Sequence, residues 1–142
     1  MTTDATLPGH PPDPSDHPES APFVTDDWVT TVLVSHDGAA WLPRTLAALA
    51  AQSHPTDTVV AVDTGSTDDS RALITEALGP SCLVEGDSGT GFGAAVQLGL
   101  AHAAAQRSPV PGEREWIWLL HDDAEPDPRA LEHLLAEVTR DP

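Results

Sequence analysis

Thr58-Val59-Val60-Ala61-Val62-Asp63-Thr64-Gly65-Ser66-Thr67-Asp68-Asp69 is the stretch from which the fold can be read. Thr58 to Asp63 is a short run of apolar and β-branched residues, the composition of a strand. The run ends on an acidic residue, turns through Gly65 and reaches Ser66, which is placed to cap a helix carrying Asp69 in its first turn. That helix is expected to continue through Leu73, Ile74, Ala77 and Leu78 and to stop at Gly79-Pro80. Strand, polar turn and amphipathic helix in this order make one βα unit.

Three more such units surround it. The first strand is expected at Val29 to Ser35, apolar enough to be covered on both faces. Its helix spans about Trp41 to Gln52, with Pro43 in the first turn and Leu42, Leu46 and Leu49 on one stripe. The third strand, Cys82 to Glu85, is short, and a glycine-rich turn leads from it to an alanine-rich helix from about Gly93 to Ala105. The fourth strand, Trp116 to Leu120, is the most apolar segment, which argues for a central place in the sheet. Asp127 is then expected to cap a last helix, with Pro128 at its first position and Leu131, Leu134, Leu135 and Val138 at helical spacing. Repeated βα units lay down a parallel sheet. The predicted class is therefore α/β: a mostly parallel, Rossmann-like sheet of about four strands with flanking helices, over residues 28–142.

Residues 1–27 read differently. Six prolines among Asp, His, Ser and Thr, with no basic residue, predict a disordered arm, in which His10 and His17 are expected to be solvated instead of metal-bound. Across the chain, 23 Asp+Glu against 6 Lys+Arg give a formal charge of −17, which repels nucleic acid and anionic lipid. The same field would repel a nucleotide diphosphate, so binding one calls for a divalent cation between the partners. Cys82 is the only cysteine and no leader sequence is recognisable, so a cytoplasmic location is expected. No apolar run approaches the roughly 20 residues that a membrane-spanning helix needs. Membrane contact is expected only through further chain.

In an open parallel sheet, ligands lie outside the carboxyl ends of the strands. The residues expected there are Ser35-His36-Asp37-Gly38, Asp63-Thr64-Gly65-Ser66, Gly86-Asp87-Ser88-Gly89 and His121-Asp122-Asp123. Asp122 and Asp123, directly after an apolar strand, offer hard oxygen ligands suited to Mg²⁺ or Mn²⁺, although a solvated acidic loop would look the same. His121 is a softer ligand or a residue that shapes the loop. Asp63 can accept hydrogen bonds from a base or ribose, or cap the following helix. Ser35 and His36 can border a nucleotide or simply form the turn with Gly38. Gly89, Gly91 and Gly93 allow close backbone approach to a ligand, or make a surface turn.

Gly89, Gly91 and Ala94 also fit G-x-G-x-x-A, the fingerprint of a dinucleotide dehydrogenase, but that fingerprint normally follows the first strand of its unit. A phosphate-binding G-x-x-x-x-G-K-[ST] is absent and the chain has no lysine, which excludes a P-loop ATPase. No Gly-x-Ser-x-Gly supplies a serine hydrolase nucleophile. A nucleotide-binding or scaffolding module without activity stays open.

Taken in order, the segments resemble the family 2 inverting glycosyltransferases, whose nucleotide-binding half has the GT-A fold. The similarity runs from about Val29 to Pro142. Thr31 to Gly38 is similar to that family's opening strand and Asn-Gly turn, with Asp37 in the asparagine's place. Val59-Val60-Ala61-Val62-Asp63-Thr64-Gly65-Ser66-Thr67-Asp68 resembles its Val-Asp-x-Gly-Ser-Thr-Asp signature, and Gly91 to Leu100 its Gly-Phe-x-x-Ala-x-Asn-x-Gly stretch. Trp118 to Pro126 resembles the region of its metal-binding Asp-x-Asp motif, with His121 in place of the first aspartate. The resemblance implies Asp123 and Asp122 as ligands of Mn²⁺ or Mg²⁺. It places Ser35, His36, Asp63, Gly91, Ala95 and Asp122 around the nucleotide. It also implies a nucleotide-diphosphate sugar as donor, a glycan, lipid or other hydroxyl as acceptor, and transfer with inversion. The catalytic base is expected in an acceptor-binding half beyond the last helix, so this chain alone is expected to bind donor at most weakly and not to turn over.

Overall fold

The computed structural model describes residues 27–140, so the expected arm at 1–27 lies, except for Asp27, outside the described residues. Four strands and four helices alternate: β1 (Asp27–Ser35), α1 (Leu42–Ala50), β2 (Thr58–Thr64), α2 (Ser70–Leu78), β3 (Leu83–Gly86), α3 (Phe92–Ala105), β4 (Arg114–His121) and α4 (Ala130–Arg140). A single 3-10 turn, Pro80–Cys82, joins α2 to β3. The strands form one sheet in the order β3-β2-β1-β4, and every pairing is parallel. This is the α/β class expected from the repeated βα units.

Alternation along β1 sorts the helices onto two faces. Leu33, with Ala61 and Leu120, packs under Leu42, Leu46 and Leu49 of α1 and Ile74 of α2. Val29 on the same face meets Leu131 and Leu135 of α4. The opposite side chains, Val32, Val34, Val60 and Val62, are covered by α3 through Ala95. At Gly99 α3 sits so close to the sheet that an added Cβ would lie 2.9 Å from Val32 Cγ1. Small residues on α3 are thus a packing requirement, and they seat the helix over β1 and β2.

Two expectations are corrected. β4 is not central but an edge strand, hydrogen-bonded only to β1 among the described residues. Its apolar run serves two different surfaces: Trp116, Trp118 and Leu120 pack inward, whereas Ile117 and Leu119 are exposed beside α3. Composition alone does not separate a strand covered twice from one covered once. The second correction concerns Ser66, which does not cap α2. That helix begins four residues later at Ser70, because Ser66 turns back onto Asp63. Smaller shifts affect the other ends by one to three residues, as terminal turns commonly do.

Candidate functional site at the carboxyl edge of the sheet

The turns after β1 and β2 are laced together. Asp37 sits in the left-handed region at φ 46°, which a short polar side chain tolerates. Its N–H donates to Ser66 Oγ at 2.9 Å, and its carboxylate accepts from Thr67 N at 2.7 Å. Gly38 N donates to Ser70 Oγ at 2.9 Å and Ala39 N to Asp68 at 3.1 Å. The Ser70 hydroxyl, followed by the Ser70 and Ala39 N–H groups, holds the Asp68 carboxyl below its ordinary range against a smaller opposing effect of burial.

Asp63, one residue before the end of β2, has its side chain 1% exposed. Ser66 donates to it twice, from its N–H at 3.0 Å and from its hydroxyl. Arg71 lies above, 4.0 Å from the Asp63 carboxylate, and also donates to the Ser66 carbonyl at 3.2 Å and to Glu85 at 3.3 Å. Arg71 is a rim cation that sequence reasoning missed; its position in the first turn of α2, beyond an acidic strand end, was the available signal. Gly65 at φ 76° lets the β3 loop settle onto this turn, since an added Cβ would lie 2.7 Å from Ser88 N.

Across β1 from Asp63 stand the residues after β4. Asp122 is buried, and its Oδ2 accepts from His36 N at 2.9 Å and Ser35 Oγ at 3.3 Å. Its carbonyl accepts from Thr45 Oγ1 of α1 at 2.6 Å. A Cβ on Gly38 would fall 2.2 Å from that Oδ2, so this position admits only glycine while Asp122 stays in place. Asp123, by contrast, is exposed, and its Oδ1 lies 3.1 Å from His121 Nδ1. The same Nδ1 is 2.9 Å from Asp122 Oδ1. His121, Asp122 and Asp123 each bring one ligand atom to within 4.8 Å of the others, a set of one imidazole and two carboxylates that fits a divalent cation.

The expected rim residues are not equally accessible. Ser35 is fully buried with its hydroxyl committed to Asp122. His36 is exposed, and its Nδ1, facing the Thr64 carbonyl at 2.8 Å, must carry the proton because a carbonyl only accepts. Gly91 is exposed at the start of α3, whereas Ala95 is wholly buried against Val32, Val34, Val60 and Val62, leaving no surface for a ligand to touch. None of Gly89, Gly91 and Gly93 has positive φ, and an added Cβ at Gly91 or Gly93 meets nothing within 4 Å. The fold itself therefore makes no demand for glycine at those two positions. The glycine run follows β3 at the sheet's edge and not the first strand, so it lacks the setting of a dinucleotide fingerprint.

Two grooves of about 410 and 580 Å³ lie elsewhere, one between α3 and β4 and one between α1 and α2, and neither is lined by a rim residue. The site is thus an open edge with Asp63 and Asp122 meeting on either side of Ser35, the β2 partner in register and the hydrogen-bond acceptor respectively. The family described as Glycosyl transferase family 2 matches residues 30–142. The chain belongs to glycosyl transferase family 2. The match runs from within β1 to the end of the chain, and the all-parallel sheet agrees with the N-terminal half of a GT-A fold. Membership makes the chain a glycosyltransferase domain and implies, in general terms, a sugar donor and an acceptor. No curated protein matches it significantly. None of the described helices is long and apolar enough to cross a membrane.

Proposed function

We propose that this glycosyl transferase family 2 domain binds a nucleotide-diphosphate sugar across the carboxyl edge of its sheet, with Asp123 and Asp122 holding a divalent cation, for transfer to a hydroxyl acceptor with inversion. One observation carries the reading: in a chain of formal charge −17, carboxylates and an imidazole converge where the sequence resembles the family's metal-binding motif, on the edge where an anionic donor would have to lie. When bound, the cation neutralises charge developing on the leaving diphosphate.

The chain's own residues divide the remaining work. Asp123 is exposed, its carboxylate touching only His121 among the described residues, while Asp122 is anchored by His36 and Ser35. Gly91 and Gly93 leave open space at the first turn of α3, where backbone N–H groups favour phosphate oxygens. His36 and the Asp63 turn border the place for the base, with Arg71 offering donors above a carboxylate already engaged by Ser66. Ser35 and Ala95 act beneath the ligand and do not touch it.

The test is a thermal-shift screen of nucleotide-diphosphate sugars with and without Mn²⁺, on wild type and Asp123→Ala. A shift that needs both donor and cation and disappears in the variant supports the reading. An equal shift without the cation, or one unchanged by Asp123→Ala, refutes it. The chain alone is expected to bind at most weakly and without turnover, so sugar transfer by these 142 residues would contradict that part of the proposal.

A further inference from the structure

The α3 side of β4 keeps apolar surface that nothing among the described residues covers. Ile117 is 53% exposed and Leu119, the next residue on that face, 44%. Between α3 and the start of β4 lies the groove of about 410 Å³, lined among others by Trp28, Leu100, Ala104, Pro109 and Ile117. Val110, beside Pro109, is exposed as well. Arg107 is the cation among the lining residues, but its guanidinium sits 3.5 Å from the centre of the Trp28 ring and is engaged by Glu113 and Glu115. The groove therefore offers apolar contact and no free positive charge. Apolar surface gathered in this way marks a place where another surface docks.

Charge narrows the choice of occupant. A second copy of the chain would bring another formal charge of −17 to a surface whose cation is already paired, and the two would repel. A tethered segment escapes that difficulty, because its docking is intramolecular and the attachment itself keeps its local concentration high. The 26 residues ahead of Asp27 are attached beside the groove, since Trp28 is one of its lining residues. Between Leu7 and Trp28 the large apolar side chains are Phe23 and Val24. Phe23 stands five positions before Trp28, a span of at most roughly 17 Å, so the pair reaches the groove without help from the rest of the arm. Pro22 fixes one backbone angle directly before the pair, which lowers the entropy lost on docking.

We propose that Phe23 and Val24 dock in the groove between α3 and β4, with the Phe23 ring against Trp28 and Ile117, so that the amino-terminal arm covers this apolar surface. The inference concerns the amino end of the sheet and depends on neither the donor nor the cation at its carboxyl edge. Burying one phenylalanine side chain favours the docked form over the free one by about tenfold or more.

The experiment replaces Phe23 with the photo-crosslinker p-benzoylphenylalanine in the 142-residue chain, irradiates a dilute solution and maps the linked peptides by mass spectrometry. Links within one chain to residues 100–109 or 116–119 are expected. Ile117→Asp places a carboxylate on the groove wall and should cut their yield about tenfold. A second measurement leaves the sheet untouched: Phe23→Ser should raise the fluorescence of a dye that binds apolar surface to the level of a chain lacking residues 1–24. Links confined to other surfaces, no links at all, a yield indifferent to Ile117→Asp in a folded variant, or a dye signal unchanged by Phe23→Ser overturns the inference. Links found only between chains and lost on dilution overturn it in favour of a second copy.

Discussion

Gly38→Ala isolates the contact on which the geometry of the site depends. The new methyl group would lie 2.2 Å from Asp122 Oδ2, 2.5 Å from its Cγ and 2.8 Å from its Cβ, all far inside contact distance. Gly38 is not among the residues of positive φ, so the cost is steric and not conformational. Asp122 must move by about 1 Å to regain an ordinary van der Waals separation. That movement breaks the bonds from His36 N and Ser35 Oγ and strands a buried carboxylate. Losing a hydrogen bond to a charged group costs about 1.5–3 kcal/mol, and overpacking costs about 1–3 kcal/mol, so a net loss of about 3 kcal/mol is expected after partial relaxation. At ~4 °C per kcal/mol for a domain of this size, the melting temperature should fall by about 12 °C. Gly91→Ala is the control, because its added methyl meets nothing within 4 Å, and it should stay within about 0.5 kcal/mol of wild type. Calorimetry on Gly38→Ala, Asp122→Ala and the double variant closes the cycle. Once Asp122 is truncated, the 2.2 and 2.5 Å contacts are gone and only the 2.8 Å approach to its Cβ remains, so the two losses should fail to add by more than about 1 kcal/mol. Additive losses, or a Gly38→Ala protein melting within a couple of degrees of wild type, would falsify the contact as described.

Other outcomes follow from the same geometry. Asp123→Asn should leave the melting temperature nearly unchanged, since the side chain is exposed, while removing cation-dependent donor binding in a thermal-shift assay. Gly65→Ala should destabilise by about 2 kcal/mol in chemical denaturation, combining strain at φ 76° with a 2.7 Å approach to Ser88 N. Glu132 is drawn from 4.5 down to about 2, first by hydrogen bonding from Arg129 and then from Ser53. Because its folded-state value is the lower one, its contribution is complete above pH 4.5 and is lost as pH falls toward 2. The melting-temperature difference between wild type and Glu132→Gln should therefore shrink over that window, and a difference that is flat or grows on acidification contradicts the Arg129–Glu132–Ser53 bridge.

Much of the fold was legible because each βα unit carries its own local signals. Pro43 and the Leu42, Leu46 and Leu49 stripe mark α1, and all three leucines are buried as that stripe requires. Strand order was harder. That β4 lies at an edge depends on what covers Ile117 and Leu119, and no property of those residues in sequence records it. Ser66 has the right type and spacing for a helix cap, but Asp63, only three residues earlier and fixed at the end of β2, competes for its hydroxyl and wins. Gly38 read as an ordinary turn glycine. Its steric necessity comes from Asp122, which is distant in the chain, so it became visible only once β1 and β4 were paired.

The adjacent aspartates show how strand alternation can assign different work to identical side chains. Trp118, Leu120 and Asp122 continue one parity, the inward one, while Ile117, Leu119, His121 and Asp123 continue the exposed one. Leu120 is buried beside α1, and the next residue of the same parity is delivered to the β1 turn, where Ser35 and His36 N satisfy it. The residues of opposite parity meet beside Phe92 in the open. This parity was available in the sequence, since the apolar strand runs directly into the acidic residues, and it separates the buried, anchored carboxylate from the exposed one. An acidic chain gains from that separation. Two free carboxylates would repel each other and an arriving diphosphate alike. With one carboxylate held by donors from β1, the second is left exposed beside His121, the arrangement that the proposed cation-dependent donor binding requires.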